Sequence, residues 1–162
     1  MTQDKLAKLQ ALIERSVRTA TPAVADSVGF PERQMKAAEL VEFVQQCRMI
    51  AMATVGPAGQ PHIAPVHAEL DGTMLRTVIY ENAIRRQDLA LNPRVAFTTW
   101  KDGAVAILYG EAREVPDSLA EARPGRSGEA RRVVTLLVRL TRVYAMRAPV
   151  RGGGGGTSSA GP

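Results

Sequence analysis

Apolar residues recur at helical spacing in the first part of the chain. Over residues 3–19, leucine, isoleucine and valine return every three or four positions, and charged residues take the other face. Thr2 precedes this segment and is suited to cap it. A second segment of about residues 31–47 starts with Pro31, which favours the first turn of a helix. We interpret the proline- and glycine-containing stretch between them as a connector, and residues 1–47 as an N-terminal helical extension.

The pattern changes to short apolar runs after Arg48. Glycine, aspartate and proline turns separate the runs, and Asp71-Gly72 and Asp102-Gly103 are typical of hairpins. A short helix of about residues 82–91 interrupts the series. Six strands are predicted, over residues 49–55, 61–70, 73–80, 94–100, 104–115 and 133–146.

Strands joined by short turns pair in antiparallel fashion, and six of them predict a small, mainly β barrel over residues 48–147. The charged segment 117–131 fits a short helix or a loop. Residues 148–162 are rich in glycine and are expected to form a disordered tail.

The composition narrows the classes of function. The chain has 162 residues, consistent with one domain, and no apolar run long enough to span a membrane. Cys47 is the single cysteine, so an intramolecular disulfide is excluded and a reducing cytoplasm is expected. The charged N-terminus lacks a signal-peptide core. The basic residues that give the net charge of +5 are interspersed with acidic residues, and aromatic residues make up only 4% of the chain. We therefore expect small anions rather than nucleic acid as partners.

Residues capable of metal or nucleophilic chemistry are few. The two histidines, His62 and His67, lie five positions apart on one predicted strand and should face opposite sides of the sheet. With no second cysteine, a metal site is not expected, because zinc needs three or four converging ligands. Hydrolase and nucleotide-triphosphatase motifs do not occur.

Arg85 and Arg86 stand side by side at the start of the predicted short helix. A guanidinium group binds phosphate with two parallel hydrogen bonds, and the first amides of a helix add donors and a favourable dipole. Alternatively, both arginines pair with Glu81, Asp88 or water on a solvated face. The residues alone leave both interpretations open.

Several motifs in fixed order resemble the pyridoxamine 5'-phosphate oxidase-like family of split β-barrel proteins, which bind flavins or deazaflavins. The motifs are the "ATV…G.PH..PV" hairpin, the helix that leads into "L..NPRVAF", and the "GEARE" end of the next strand. The resemblance covers residues 48–116 and, more loosely, 133–147.

The resemblance implies a homodimer of six-stranded split barrels with two flavin sites at the interface. It places the flavin ring and its phosphate arm along the second strand and the end of the third, and the phosphate on the helix. The implied cofactor-binding residues are His62, Ile63, Ala64, Pro65, Val66, His67, Val78, Ile79 and Arg85, to which we add Arg86 for the phosphate. Trp100 falls where the oxidases also carry a tryptophan.

Departures from the family pattern bear on activity. Ala83 and Gln87 replace a serine and a base that flank the phosphate-binding position in relatives, and Val105 replaces a glutamine of the true oxidases. The oxidases' C-terminal arginine and tryptophan motif is absent, so oxidation of pyridoxamine phosphate itself is not expected.

The resulting hypothesis is a dimeric cytoplasmic flavoprotein that transfers a hydride between bound FMN and a small organic substrate, with no proton donor identified. A second hypothesis replaces FMN with F420, whose acidic tail would contact Lys5, Lys8 and Arg15. A third is a flavin- or haem-binding protein without turnover.

Overall fold

The computed structural model describes residues 1–122 and 131–148, which form a curled antiparallel sheet with four helices. The predicted mainly β class is confirmed. The helices are α1 Gln3–Arg18, α2 Pro22–Val28, α3 Ala37–Gln46 and α4 Ile84–Leu91. The strands are β1 Ile50–Val55, β2 Pro61–Val66, β3 Ala68–Asp71, β4 Met74–Tyr80, β5 Arg94–Lys101, β6 Ala104–Glu114, β7 Ala120–Ala122 and β8 Arg131–Met146.

The order of the strands makes the sheet curl back on itself. Neighbours follow the path β2-β1-β5-β6-β8-β4-β3, and β7 pairs with β8. The two end strands, β2 and β3, are separated in sequence by His67 alone, so the two ends of the sheet must meet at that residue. Thr77 of β4 strengthens the corner, because its Oγ1 donates a hydrogen bond of 2.6 Å to the His67 carbonyl oxygen.

The described residues contain eight strands, so the predicted count of six is not confirmed. The segment predicted as one strand over 61–70 is divided at His67, because β2 pairs with β1 while β3 pairs with β4. His67 itself belongs to no strand, so the segment leaves one end of the sheet there and enters the other end. The second difference is β7, a short strand within the segment predicted as a helix or loop. The rest of that segment, residues 123–130, lies outside the described residues, and so does the predicted tail from residue 149 onward.

The helices before the sheet differ from the prediction in two places. Thr2 caps α1 as predicted, and its side chain accepts a hydrogen bond from the Lys5 amide. The predicted connector contains α2, which Pro22 starts at its first position, where a missing N–H costs nothing. The helix predicted from residue 31 starts at Ala37, because residues 31–33 form a turn and Gln34 makes a β-bridge to Met146.

Helix α1 is joined to the sheet by a buried serine. The Ser16 hydroxyl donates to the Leu12 carbonyl oxygen at 2.7 Å and accepts from the Val143 amide of β8 at 2.9 Å. Leu9 and Ile13 of α1 are fully buried in the same core cluster as the inner side chains of the strands. The helix is therefore fixed to β8 by both apolar packing and a satisfied polar contact.

The backbone geometry at two positions explains why they are glycines. Asp102 and Gly103 both have positive φ, at 51° and 80°, as a two-residue hairpin turn requires. Gly110 lies at a register shift between β6 and β8, where an added Cβ would come within 2.6 Å of Val138 and 2.7 Å of the Arg139 carbonyl oxygen. Among the described residues, no helix combines the length and apolar character needed to cross a membrane.

Candidate functional site

Helix α4 lies beside the β1–β2 hairpin and brings a buried carboxylate to it. The helix ends before Pro93, as predicted, and starts after Ala83, whose side chain offers no cap to the first amides. Asp88, in the second turn, is only 1% exposed. The helix thereby places one acidic side chain inside the curl of the sheet.

Thr54 and His62 meet this carboxylate from the inner face of the hairpin. The two residues are directly paired across β1 and β2, so their side chains point the same way. Thr54 Oγ1 lies 2.6 Å from Asp88 Oδ2, and His62 Nδ1 lies 2.7 Å from the same oxygen. Asp88 Oδ1 is buried and has no hydrogen-bond partner among the described residues.

The charge state of Asp88 follows from these contacts. Burial disfavours the ionised carboxyl and alone would raise its pKa, but the hydrogen bonds from Thr54 and His62 and the charge of Arg85 outweigh burial, so the pKa of Asp88 is lowered. An ionised carboxylate only accepts hydrogen bonds. Both Thr54 Oγ1 and His62 Nδ1 must therefore donate to it.

Arg85 and Arg86 have different surroundings although they are adjacent. Arg86 makes two 2.8 Å hydrogen bonds to Glu114 of β6, through Nε and Nη2, and Nη1 lies 3.4 Å from the Glu81 carbonyl oxygen. Arg85 is half-buried, and its Nε is buried without a hydrogen-bond partner in the described part of the chain. Arg86 therefore ties α4 to the sheet, whereas Arg85 retains an unused donor.

The residues predicted to lie along a flavin divide between the two faces of β2. His62, Ala64 and Val66 point inward, and Val66 is buried in the core. The outward residues are Ile63 and Pro65, both exposed.

The remaining predicted contacts lie around the corner at His67. The His67 side chain is exposed there, so the two histidines do not come together. On the adjoining β4, Val78 is exposed while Ile79 is buried in the core, which leaves Ile79 only its backbone for contact with a ligand.

A row of apolar and aromatic side chains crosses the outer face of β2, β1, β5 and β6. Ile63, Ala53, Ala96 and Tyr109 are successive cross-strand partners on this face, which we call the outer shelf. Ile63 is 70% exposed. Beside the outer shelf, a cleft of about 200 Å³ runs between β2 and the end of β5, lined by Met49, Ile50, Ala51, Pro65, Thr98, Thr99 and Trp100. An exposed apolar face of this kind is typical of a binding surface.

Sequence reasoning missed the roles of Thr54 and Asp88. The hairpin register that places Thr54 opposite His62 follows from the Gly56–Gln60 turn and was within reach of the sequence. Asp88 gave no such signal, because an aspartate that follows a pair of arginines in a short helix is normally a surface residue. Within residues 1–122 and 131–148, no group of three histidine, cysteine or acidic side chains is arranged to hold a metal ion.

Comparison with known proteins places these features in a family. The model of the family described as pyridoxamine 5'-phosphate oxidase matches residues 37–146, more than half of the chain. No match was found among curated proteins.

Three solved structures illustrate the shared fold. Rv2991 from Mycobacterium tuberculosis is 20% identical, with 79% of this chain and 98% of that chain covered and a TM-score of 0.59. An FAD-binding protein from Mesorhizobium loti is 16% identical, with coverages of 72% and 98% and a TM-score of 0.53. The haem storage protein HutZ from Vibrio cholerae is 14% identical, with coverages of 67% and 93% and a TM-score of 0.52.

At these identities the structures establish the fold alone, and the match to the family model establishes membership. The resemblance inferred from the hairpin, the helix and the "GEARE" strand end is thereby confirmed. The chain belongs to the pyridoxamine 5'-phosphate oxidase family.

Proposed function

We propose that this protein binds FMN and transfers a hydride between the flavin and a small organic substrate. Residues 48–147 would form the flavin-binding domain, and residues 1–47 a helical extension. The observation that carries the proposal is the buried, partner-free Nε of Arg85 at the start of α4, next to the strands on which the family binds its cofactor. A phosphate oxygen would satisfy that donor.

The residues present fit such a cofactor. Arg85 and the uncapped first turn of α4 supply cationic and N–H groups for a phosphate. Residues 62 to 67 of β2 and its corner, with Val78 and the backbone of Ile79, would border the ring, and exposed His67 would contact its polar edge. The flavin would supply the hydride chemistry, and the protein anchorage, orientation and shielding. Arg86 contributes to phosphate binding only by releasing Glu114, so we assign the larger part to Arg85.

We also propose a homodimer, which the outer shelf supports. Ile63 and Trp100 are 70% and 71% exposed, and a second copy of the chain would cover them and close one side of a cofactor cleft. Sedimentation of the purified protein should therefore give twice the mass of the chain, and Ile63→Glu should shift it towards the monomer. A monomeric wild type at micromolar concentration would contradict the dimer.

The single Cys47 suits a reducing compartment, and we propose the cytoplasm.

F420 is the second candidate cofactor because of a basic cleft near the N-terminus. Lys8 and Arg15 of α1 line a cleft of about 350 Å³ together with Arg139 of β8. Such a cleft would hold an acidic tail extending from the cofactor site. A flavin- or haem-binding protein without turnover is the third candidate, and the missing cap at Ala83 is its motivation.

Visible absorption decides among the three. The protein as isolated should be yellow and should release FMN, and titration should give a higher affinity for FMN than for F420 or haemin. Higher affinity for F420 would make the deazaflavin the proposed cofactor, and a Soret band without flavin binding would make haem the proposed cofactor. If the reduced flavin in the protein passes electrons to no tested acceptor, a binding protein without turnover would be favoured. Colourless protein that binds none of the three cofactors would overturn the proposal.

A further inference from the structure

The Asp88–Thr54–His62 contact determines which nitrogen of the histidine carries a proton. Asp88 Oδ2 accepts from Thr54 Oγ1 at 2.6 Å, and His62 Nδ1 lies 2.7 Å from the same oxygen. Because a carboxylate cannot donate, His62 Nδ1 must hold a hydrogen. A neutral His62 therefore has a bare lone pair at Nε2.

The other ring nitrogen faces away from this carboxylate. The two nitrogens of an imidazole point in divergent directions, so the bond at Nδ1 directs Nε2 away from Asp88. The His62 side chain is 24% exposed, and no hydrogen bond joins Nε2 to another described residue. Nε2 is therefore free to meet a ligand.

The charged groups around His62 favour an anion at this corner. Helix α4 contributes Asp88 and Arg85, and Arg85 is close enough for its charge to act on Asp88. Strand β1 contributes the neutral Thr54, and Gly56 of the hairpin turn lies near both the neutral Gln60 amide and Cε1 of His62. Arg86 is held by Glu114 on β6. In the described part of the chain, Arg85 Nε is a buried cationic donor close to this corner that has no hydrogen-bond partner.

We propose that Asp88 is a positioning residue that couples phosphate binding to uptake of a proton by His62. A phosphate oxygen carries negative charge and repels a bare Nε2 lone pair. Since Asp88 keeps the Nδ1 hydrogen, Nε2 can donate to phosphate only after a second proton arrives from solvent. In the bound state, His62 would be protonated and would donate to the Asp88 carboxylate through Nδ1 and to the phosphate through Nε2, and Arg85 would supply a further cationic donor. This inference rests on the proposed FMN binding and adds a pH dependence to it.

Calorimetry of FMN binding measures this proton directly. The titration is run in two buffers with different ionisation enthalpies, above the pH at which the His62 NMR signal of the free protein titrates and above the phosphate's own second ionisation near about pH 6. We expect uptake of about one proton per FMN. The affinity for FMN should therefore fall by up to about tenfold for each unit by which the pH is raised. Riboflavin, which lacks the phosphate, should bind without proton uptake.

Two variants separate positioning from mere structural support. His62→Gln should bind FMN with no proton uptake. In Asp88→Asn the amide oxygen can take the place of Oδ2 and keep both hydrogen bonds, but it carries no charge to stabilise an imidazolium, so proton uptake should fall. Long-range ¹H–¹⁵N NMR of the free proteins should show the Nδ1–H tautomer of His62 both in the wild type and in Asp88→Asn.

The outcomes of the inference and of the proposed function differ. FMN binding without proton uptake, or an Nε2–H tautomer in the wild type, would overturn the coupling and leave the proposed function standing. Absence of FMN binding at every pH would overturn both. If Asp88→Asn does not fold, the wild-type tautomer and the proton count of His62→Gln still decide the question.

Discussion

Two regions of this molecule bury a polar side chain between a helix and the sheet, and they do so differently. Where α1 meets β8, Ser16 both donates and accepts, so its hydroxyl and the Val143 amide are satisfied. Where α4 meets the β1–β2 hairpin, one oxygen of Asp88 accepts two hydrogen bonds, while Asp88 Oδ1 and the nearby Arg85 Nε have no partner within residues 1–122 and 131–148. In the first region, the hydrogen bonds only join the helix to the sheet. In the second region, one donor and one acceptor have no partner among the described residues.

Buried polar groups without partners carry a free-energy cost of about 1–3 kcal/mol each, so each of them calls for an explanation, and a bound ligand is one. The same contrast exists on a smaller scale between Arg85 and Arg86. Arg86 is held by Glu114 on β6 and supports the fold, while Arg85 Nε has no hydrogen-bond partner among the described residues. Variants at these positions should therefore separate loss of binding from loss of stability.

Arg85→Ala should produce the largest effect, and on binding alone. A charge-assisted hydrogen bond contributes about 1.5–3 kcal/mol, so FMN affinity should fall roughly tenfold to a hundredfold. Fluorescence titration of FMN measures the loss, and thermal unfolding should be nearly unchanged. Unchanged FMN affinity in this variant would remove Arg85 from the site.

Asp88→Asn should reduce stability in a way that depends on pH. The pKa of Asp88 is lowered in the folded protein, so its ionised form contributes stability above the unfolded pKa near about 4, and this contribution is lost as pH falls through the folded value. Hydrogen bonds to a charged group suggest about 1.5–3 kcal/mol at neutral pH. Urea unfolding of both proteins should show a difference that shrinks below about pH 4. A difference independent of pH would mean that the carboxylate charge is not what stabilises the corner.

Ser16→Ala should lower stability without affecting FMN affinity. The buried Val143 amide loses its partner, which costs about 1–3 kcal/mol of unfolding free energy. Chemical denaturation and FMN titration of the same preparation provide the two readouts. A selective loss of FMN affinity here would contradict the division between the two regions.

Arg86→Ala should have the smallest effect. Its side chain and that of Glu114 are 36% and 38% exposed, so solvent weakens the pair despite its two-bond geometry. Melting temperatures of this variant and of Glu114→Gln should be similar. A loss of FMN affinity as large as that of Arg85→Ala would show that both arginines bind phosphate.

The features that could be predicted from the sequence depend on residues that are close together along the chain. The Asp102-Gly103 turn, the Thr2 cap and the end of α4 before Pro93 are local, and all three are confirmed. The break at His67 was not predictable, because it depends on β2 and β3 pairing with strands at opposite ends of the sheet. The difference between Arg85 and Arg86 depends on Glu114, which lies 28 residues beyond Arg86 and reaches it only through folding.

The central claim is that Arg85 binds the phosphate of a flavin. The ratio of FMN affinity to riboflavin affinity tests this claim most directly. The two ligands share the ring and differ in the phosphate. We predict that the wild type binds FMN at least about tenfold more tightly than riboflavin, and that Arg85→Ala removes most of the difference while leaving riboflavin affinity unchanged. Equal affinities of the wild type for the two flavins would contradict the account.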